Sequence, residues 1–198
     1  YLMLEKQHNR GQDGAGFASI KLDCNPGERF MHRERSANQN PIKYIFELSN
    51  NRIQSELRNN PNLKENLDLQ KKEIPHISEL FLGHVRYGTF GKNSKEAVHP
   101  FLRQNNWMNR NLIVAGNFNM TNNKELFDDL VSLGQHPKEM SDTVTVMENI
   151  GHFLDEAVIK IYKKLRKEGV SKPDASKIIG QQLDISKVLK KATKNWDG

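Results

Sequence analysis

Residues 7–16 read QHNRGQDGAG and run directly into the apolar segment FASI of residues 17–20. This stretch places one arginine, one aspartate, two glutamines and three glycines immediately before a segment with the composition of a core strand. Binding and catalytic residues concentrate in loops at the ends of regular elements. The stretch therefore predicts a strand that is preceded by a functional turn.

The composition is that of a folded domain outside the membrane. The chain has 198 residues, of which 36% are hydrophobic and 27% charged, so it can bury a core and is too apolar for disorder. No run approaches the roughly 20 apolar residues that a membrane span needs, and no signal peptide is recognisable. Cys24 is the only cysteine and cannot form an internal disulfide, which favours a reducing compartment. We therefore expect a cytoplasmic protein with no membrane partner.

The net charge of +6 raises the question of a nucleic-acid partner. Most of the excess lies in the last third of the chain, in segments such as KIYKKLRKEG and SKVLKKATK. Basic helices near a terminus usually present a solvated face, so we predict no nucleic-acid binding. The seven histidines lack the spacing of a zinc site, and the sequence predicts neither a metal nor a cofactor.

The order of predicted elements indicates an α+β fold. Four strands are predicted, at residues 14–23, 28–35, 80–89 and 112–119. Residues 36–78, between the second and third strands, predict a helical excursion with two modest helices. A further helix is predicted from about Asn123 to Leu133. Strands followed by helices, rather than alternating βαβ units, favour a layered α+β domain.

The longest helix is predicted to begin near Ser141 or Asp142. Apolar residues recur there every three or four positions and draw one buried stripe, which comprises Val146, Ile150, Phe153, Ala157, Ile161 and Leu165. Short helices are predicted beyond it, in ASKIIGQQL and SKVLKKATKNW.

Four polar clusters adjoin predicted strand ends or helix starts, namely RGQDGAG, GHVRYGT, GNFNMTN and SDT. Their chemistry is complementary: Arg86 can hold a carboxylate in two hydrogen bonds, Asp142 can hold an ammonium group, and the amide of Asn117 can stabilise an oxyanion. Each has a simpler interpretation when taken alone. Arg86 suits a surface ion pair, Asp142 suits a helix N-cap, and Asn117 suits a turn.

Taken together and in this order, the clusters resemble the motifs of the class II glutamine amidotransferases, over about residues 7–145. The resemblance is closest to the glutaminase domain of the amidophosphoribosyltransferases, which act in purine synthesis. Gln12 and the triplet Val85-Arg86-Tyr87 favour that branch, because the sugar-amidotransferase branch typically has Tyr and T-R-W at these places.

The resemblance implies an N-terminal-nucleophile (Ntn) hydrolase fold, a four-layer αββα sandwich. In this chain the sandwich is expected to be incomplete and to carry helical insertions. Residues 1–160 would form a partial amidotransferase core that lacks its N-terminal strand, with residues 36–78 as the helical excursion. Residues 161–198 would form a basic helical extension or insertion.

The resemblance also implies a mechanism. A cysteine at the mature N-terminus, with its own α-amino group as general base, attacks the side-chain amide of glutamine. Ammonia leaves and passes to an acceptor, and water then hydrolyses the thioester to release glutamate and the free cysteine. Asn117, together with the backbone N–H of Phe118, would stabilise the oxyanion. Arg10 and Gly11 would line the pocket of the nucleophile.

The remaining motif residues would bind the substrate. Arg86 would take the α-carboxylate of glutamine and Asp142 its α-amino group, with Tyr87 and Gly116 beside them. The implied partners are glutamine and a synthase domain or subunit that receives the ammonia, with a homo-oligomer as a further possibility.

The chain departs from the family pattern at the nucleophile and in the third motif. Position 1 is Tyr, and Cys24 lies after the first motif rather than before it. Gly116 and Phe118 stand where the family has His and Gly. We expect a segment whose nucleophilic cysteine lies upstream and which is inactive alone. The alternatives are a non-catalytic relative that binds glutamine or a partner without turnover, and an unrelated basic α+β binding module.

Overall fold

The computed structural model describes residues 1–88 and 94–198 of the chain. The chain forms two compact units, Tyr1–Pro100 and Phe101–Gly198, and each has a hydrophobic core of its own. Thr89, the last residue of both the third predicted strand and the GHVRYGT motif, lies outside the described residues.

The first unit is built on an antiparallel sheet. Its elements in chain order are α1 (Leu2–Lys6), β1 (Gly14–Ile20), β2 (Met31–Ser36), α2 (Pro41–Asn59), α3 (Leu67–Glu73) and β3 (Leu80–Arg86). Within the described residues the strand order is β2-β1-β3, and both pairings are antiparallel. The first three predicted strands are therefore confirmed, although β1 and β3 end sooner than their sequence patterns suggested.

The central strand β1 is the core of this unit. Its first six residues are buried, and the small side chains of its GAG start allow neighbouring chain segments to approach closely. α2 covers the strand through Ile42 and Ile45, both at most 4% exposed, and the ring of Phe46 stacks on Phe17 at 4.9 Å. Residues 36–78 thus contain a 19-residue helix that packs on the sheet, longer than the modest helices predicted there.

A buried polar network lies beside this core. The Ser19 hydroxyl and His76 Nδ1 are 3.0 Å apart, and His76 Nε2 lies 3.5 Å from the Glu34 carboxylate. Arg52 also donates to Glu34. The line of serine, histidine and carboxylate has the order of a hydrolase triad, but Ser19 is fully buried and no substrate can reach it. We assign the network to the folding of this unit, because buried polar groups need such partners.

The second unit is mainly helical. Its elements are β4 (Phe101–Arg103), β5 (Leu112–Val114), α4 (Asn123–Ser132), α5 (Asp142–Lys167), α6 (Lys172–Gln182) and α7 (Ile185–Ala192). β4 and β5 pair antiparallel. The predicted helices at 123–133 and from Ser141 onward are confirmed, as are the two short helices after α5. The prediction of a strand over 112–119 is wrong beyond Val114, where the pairing of β5 with β4 ends and the chain continues without regular structure.

α5 organises this unit. Ser141 is its N-cap and accepts from the N–H of Val144 at 3.4 Å. α5 packs against α6 and α7 through three residues that are at most 3% exposed, Leu154, Val158 and Leu165. Four residues of the predicted stripe lie beside this core and are half-buried, namely Ile150, Phe153, Ala157 and Ile161. The stripe was placed on the correct side of the helix, but its buried centre runs through Leu154 and Val158. In the part of the chain that the structure describes, no helix is both long and apolar enough to cross a membrane.

Candidate functional site

In the first unit, the RGQDG turn meets the end of β3. Gly14 lies opposite Arg86 in the antiparallel register. The N–H of Asp13 donates to the Arg86 carbonyl at 3.0 Å, and the N–H of Gly88 donates to the Asp13 carboxylate at 2.7 Å. Two motifs that are 75 residues apart in sequence are thereby joined. Asp13 makes this connection, and it was not among the site residues predicted from the sequence.

Gly11 belongs to the same junction. A Cβ at this buried position would lie 2.6 Å from the carbonyl carbon and 2.7 Å from the carbonyl oxygen of Arg86. Backbone atoms cannot move aside as a side-chain tip can, so a larger residue would displace the end of β3. Glycine is required here by this close approach. Arg10 precedes it in a short 3-10 turn and is exposed, and Tyr87 is 70% exposed.

Two stacked histidines lie beside Arg86. The rings of His84, on β3, and His99 are 4.5 Å apart. Burial, with smaller contributions from the charges of His84, Arg86 and Arg35, lowers the pKa of His99 to about 4, and burial lowers the pKa of His84. Both imidazoles are therefore neutral near pH 7. His84 Nδ1 is buried and has no hydrogen-bond partner among the described residues.

These histidines were not predicted as part of a site. His84 stands inside the quoted GHVRYGT motif and could have been selected from it. His99 had no such signal, because only the fold brings it to His84.

In the second unit, the GNFNMTN motif meets the start of α5. Oδ2 of Asp142 accepts from the backbone N–H of Met120 at 3.0 Å. Asp142 is the first residue of α5, and the N-cap position considered for it is filled by Ser141. Asn117 lies in the segment between β5 and α4, and its side chain is exposed. This unit thus brings the motif that carries Asn117 to the carboxylate of Asp142.

The two departures in this motif are structurally coupled. A Cβ at Gly116 would lie 2.6 Å from the ring of Phe118. The phenylalanine ring therefore occupies the space that a side chain at position 116 would need. Gly116 and Phe118 are therefore linked by packing, because a larger residue at position 116 would have to displace this ring.

The surroundings of Cys24 disfavour its reactive form, although the charges of Lys21 and Lys71 oppose this effect. Cys24 lies in the turn between β1 and β2, where burial and the neighbouring carboxylate of Glu28 raise its pKa, with burial the larger cause. A raised pKa reduces the thiolate fraction, and the thiolate is the reactive form. Residues 1–88 and 94–198 also contain no group of three or more potential metal ligands close enough to share an ion.

Comparison with known proteins gives one informative similarity. No protein-family model matches the chain. The glutamine–fructose-6-phosphate aminotransferase (isomerizing) of Sulfurisphaera tokodaii is 35% identical over 101 residues, which are 51% of this chain and 16% of that enzyme. The chain thus spans about a sixth of the length of this relative. The similarity supports the general class of the resemblance, the glutamine amidotransferases, and gives no support to the amidophosphoribosyltransferase branch.

Proposed function

We propose that this chain is the glutaminase part of a class II glutamine amidotransferase, which hydrolyses the side-chain amide of glutamine and supplies the ammonia to an acceptor. The nucleophile in this proposal is an N-terminal cysteine outside the 198 residues. Cys24 does not take this role, because burial disfavours its thiolate. The proposal includes the Ntn-hydrolase sandwich as the fold of the complete domain, with residues 1–160 belonging to its core.

In the proposed mechanism some motif residues bind glutamine and others stabilise the oxyanion. Arg86 binds the α-carboxylate of glutamine by a charge-assisted pair of hydrogen bonds, and Asp142 binds the α-amino group. The amide of Asn117 and the N–H of Phe118 donate to the oxyanion that forms when the amide carbonyl is attacked. Arg10 and Gly11 line the pocket of the nucleophile, and Tyr87 and Gly116 border the substrate.

The observation that carries the proposal is the meeting of the motifs in pairs. Gly11 and Asp13 contact the backbone of Arg86, and Asp142 contacts the loop that carries Asn117. Antiparallel pairing of β1 with β3 brings the first pair together, and the carboxylates of Asp13 and Asp142 each bind a backbone N–H of the motif they meet. The similarity to a relative whose name makes it an aminotransferase acting on glutamine and fructose 6-phosphate supports the same class.

The molecule that accepts the ammonia differs between two branches of the class II amidotransferases, the amidophosphoribosyltransferases and the sugar amidotransferases. Gln12 and Val85-Arg86-Tyr87 favour the amidophosphoribosyltransferase branch and a role in purine synthesis, whereas the relative belongs by name to the sugar branch. We propose the former. Supplying the full-length gene product with glutamine and either phosphoribosyl pyrophosphate or fructose 6-phosphate tests this choice, because only the true acceptor should be aminated.

The decisive experiment is an ammonia-release assay on the full-length gene product with glutamine labelled with ¹⁵N in its side chain. We expect labelled ammonia, and we expect no release from residues 1–198 alone. Calorimetry with glutamine on the same full-length protein separates the alternative. Binding without any turnover would indicate the non-catalytic relative, and neither binding nor turnover would contradict both.

A further inference from the structure

Residues 195–197 form a short strap along the end of the GNFNMTN motif. The Thr121 hydroxyl donates to the Asp197 carboxylate at 2.6 Å, and the Thr121 N–H donates to the Asp197 carbonyl at 2.9 Å. The N–H of Asp197 donates to the Asn122 side chain at 3.2 Å, and the Asn122 amide donates to the Asn195 carbonyl at 2.7 Å. The strap thus holds Thr121 through its hydroxyl and its backbone N–H, and it holds Asn122 through its side-chain amide.

The strap is anchored to the helical core of its unit. The indole N–H of Trp196 donates at 3.3 Å to the side chain of Asn149, which lies on α5 and is 9% exposed. α7 leads into the strap and is fixed by Val188 and Ala192, both at most 3% exposed. The position of the strap is therefore set by packing around α5.

The segment between β5 and α4 needs such support. It forms no regular structure from residue 115 to 120, so no ladder of backbone hydrogen bonds positions Asn117. β5 fixes its start, and Asp142 holds Met120, which lies three residues after Asn117. The strap fixes its end, where it holds Thr121 and Asn122.

We infer that the strap positions the oxyanion donors of the proposed glutaminase, and that Asp197 is its principal positioning residue. The inference rests on the proposed function. Asp197 touches Thr121 and Asn122 rather than the reacting atoms, so it acts through the segment that carries Asn117 and Phe118. Donors displaced by about 1 Å from their correct positions lose much of their effect, because they stabilise the transition state only in the correct geometry.

This role predicts a particular kinetic pattern. Oxyanion donors act mainly in the transition state, so loosening the strap should lower kcat and leave the glutamine KM nearly unchanged. Asp197→Ala and Thr121→Val each remove the hydroxyl–carboxylate bond and leave the backbone bonds of the strap, so we expect them to lower kcat by about 5- to 10-fold in the full-length protein. Asp197→Asn keeps an oxygen that can accept from the Thr121 hydroxyl, so it should stay within about threefold of the wild type.

The controls separate positioning from folding. Asp128→Ala removes an exposed carboxylate of the same unit that pairs with Lys124, and it should change neither kcat nor the melting temperature. Hydrogen exchange of the Met120 and Thr121 amides should quicken in Asp197→Ala while the α5 amides keep their protection.

The result that overturns the inference is a kcat within twofold of the wild type for both Asp197→Ala and Thr121→Val, or unchanged exchange at Met120 and Thr121. A wild type without ammonia release contradicts the proposed function instead, and the exchange experiment then still tests the strap. Should Asp197→Ala fold poorly, Thr121→Val decides, since Thr121 is exposed and its substitution spares the helical core.

Discussion

At the residue scale, the candidate site depends on a few close contacts. Gly11 is fixed by the backbone of Arg86, and Gly116 by the ring of Phe118. The sequence identified the motif residues because their types and order suggest a chemistry. It did not identify Asp13 or His99. Asp13 is held by a backbone hydrogen bond and His99 by a ring stack, and neither contact can be recognised from the residue types along the chain.

Replacement of Arg86 tests the carboxylate site. Arg86→Ala in the full-length protein should raise the glutamine KM by about 10- to 100-fold with a smaller change in kcat, because a charge-assisted contact made already in the ground state is lost. Steady-state ammonia release measures both constants. Arg58→Ala, which removes an exposed arginine from α2, is the matched control. An unchanged KM would remove Arg86 from the substrate site.

The coupling of Gly116 and Phe118 can be measured by a double-mutant cycle. Gly116→Ala alone should lower the free energy of unfolding by about 0.5–1.5 kcal/mol, because its methyl group overlaps the Phe118 ring and forces this side chain to turn aside. In a Phe118→Gly background the same substitution should cost less than about 0.5 kcal/mol, since the ring is gone. Urea unfolding of the four proteins gives the coupling energy. Equal costs in the two backgrounds would show that the two changes are independent.

At the element scale, α5 shows what periodicity can and cannot predict. The three-to-four spacing of apolar residues predicted the helix and its inward side. The spacing could not show that the buried centre of the helix runs through Leu154 and Val158. α6 and α7 both cover α5, so they bury a face that is wider than a single stripe. The false extension of the 112–119 strand has a similar cause. The apolar run alone suggests a strand, whereas the length of β5 depends on its partner β4, which pairs with it only as far as Val114.

The core of α5 can be tested by truncating leucines of different burial. Leu154 is 2% exposed, and Leu154→Ala should lower the free energy of unfolding by about 2–5 kcal/mol through lost burial and a cavity. Leu189 lies on α7 at 40% exposure, so Leu189→Ala should cost less than about 1 kcal/mol. Thermal and urea unfolding provide the comparison. Similar losses for both variants would contradict the assignment of this core.

At the scale of the whole molecule, burial of histidines links stability to pH. Burial is the main cause that lowers the pKa of His32 to about 4, and the charge of Lys21 adds to it; His99 has a pKa of about 4 for similar reasons. Their ordinary pKa is 6.5. As the pH falls from 6.5 towards 4, the unfolded chain takes up protons that the folded chain does not. The free energy of unfolding must therefore decrease across this window.

Urea unfolding at pH 7 and pH 5 measures this dependence. The wild type should be less stable at pH 5, and His32→Gln should show a smaller difference between the two values because one titrating group is lost. His136→Gln is the control, since His136 is exposed. If His32→Gln kept the full pH difference, His32 would not be among its sources.

The fold class was predictable at this scale, and its finer architecture was not. The order of strands and helices gave α+β, which suits the small antiparallel sheets and long helices that the structure describes. A four-layer sandwich stays part of the proposal for the complete domain. Composition and periodicity determine which segments are regular, whereas the stacking of layers depends on contacts between segments far apart in sequence.

The exposed side of β3 has a consequence for handling the protein. Among the described residues β3 pairs only with β1, and its Leu80, Phe81 and Leu82 are 38–59% exposed. An unpaired strand edge with apolar side chains is a template on which another copy can add a strand. Concentrated samples of these 198 residues should therefore be limited by self-association through this edge before folding stability becomes limiting.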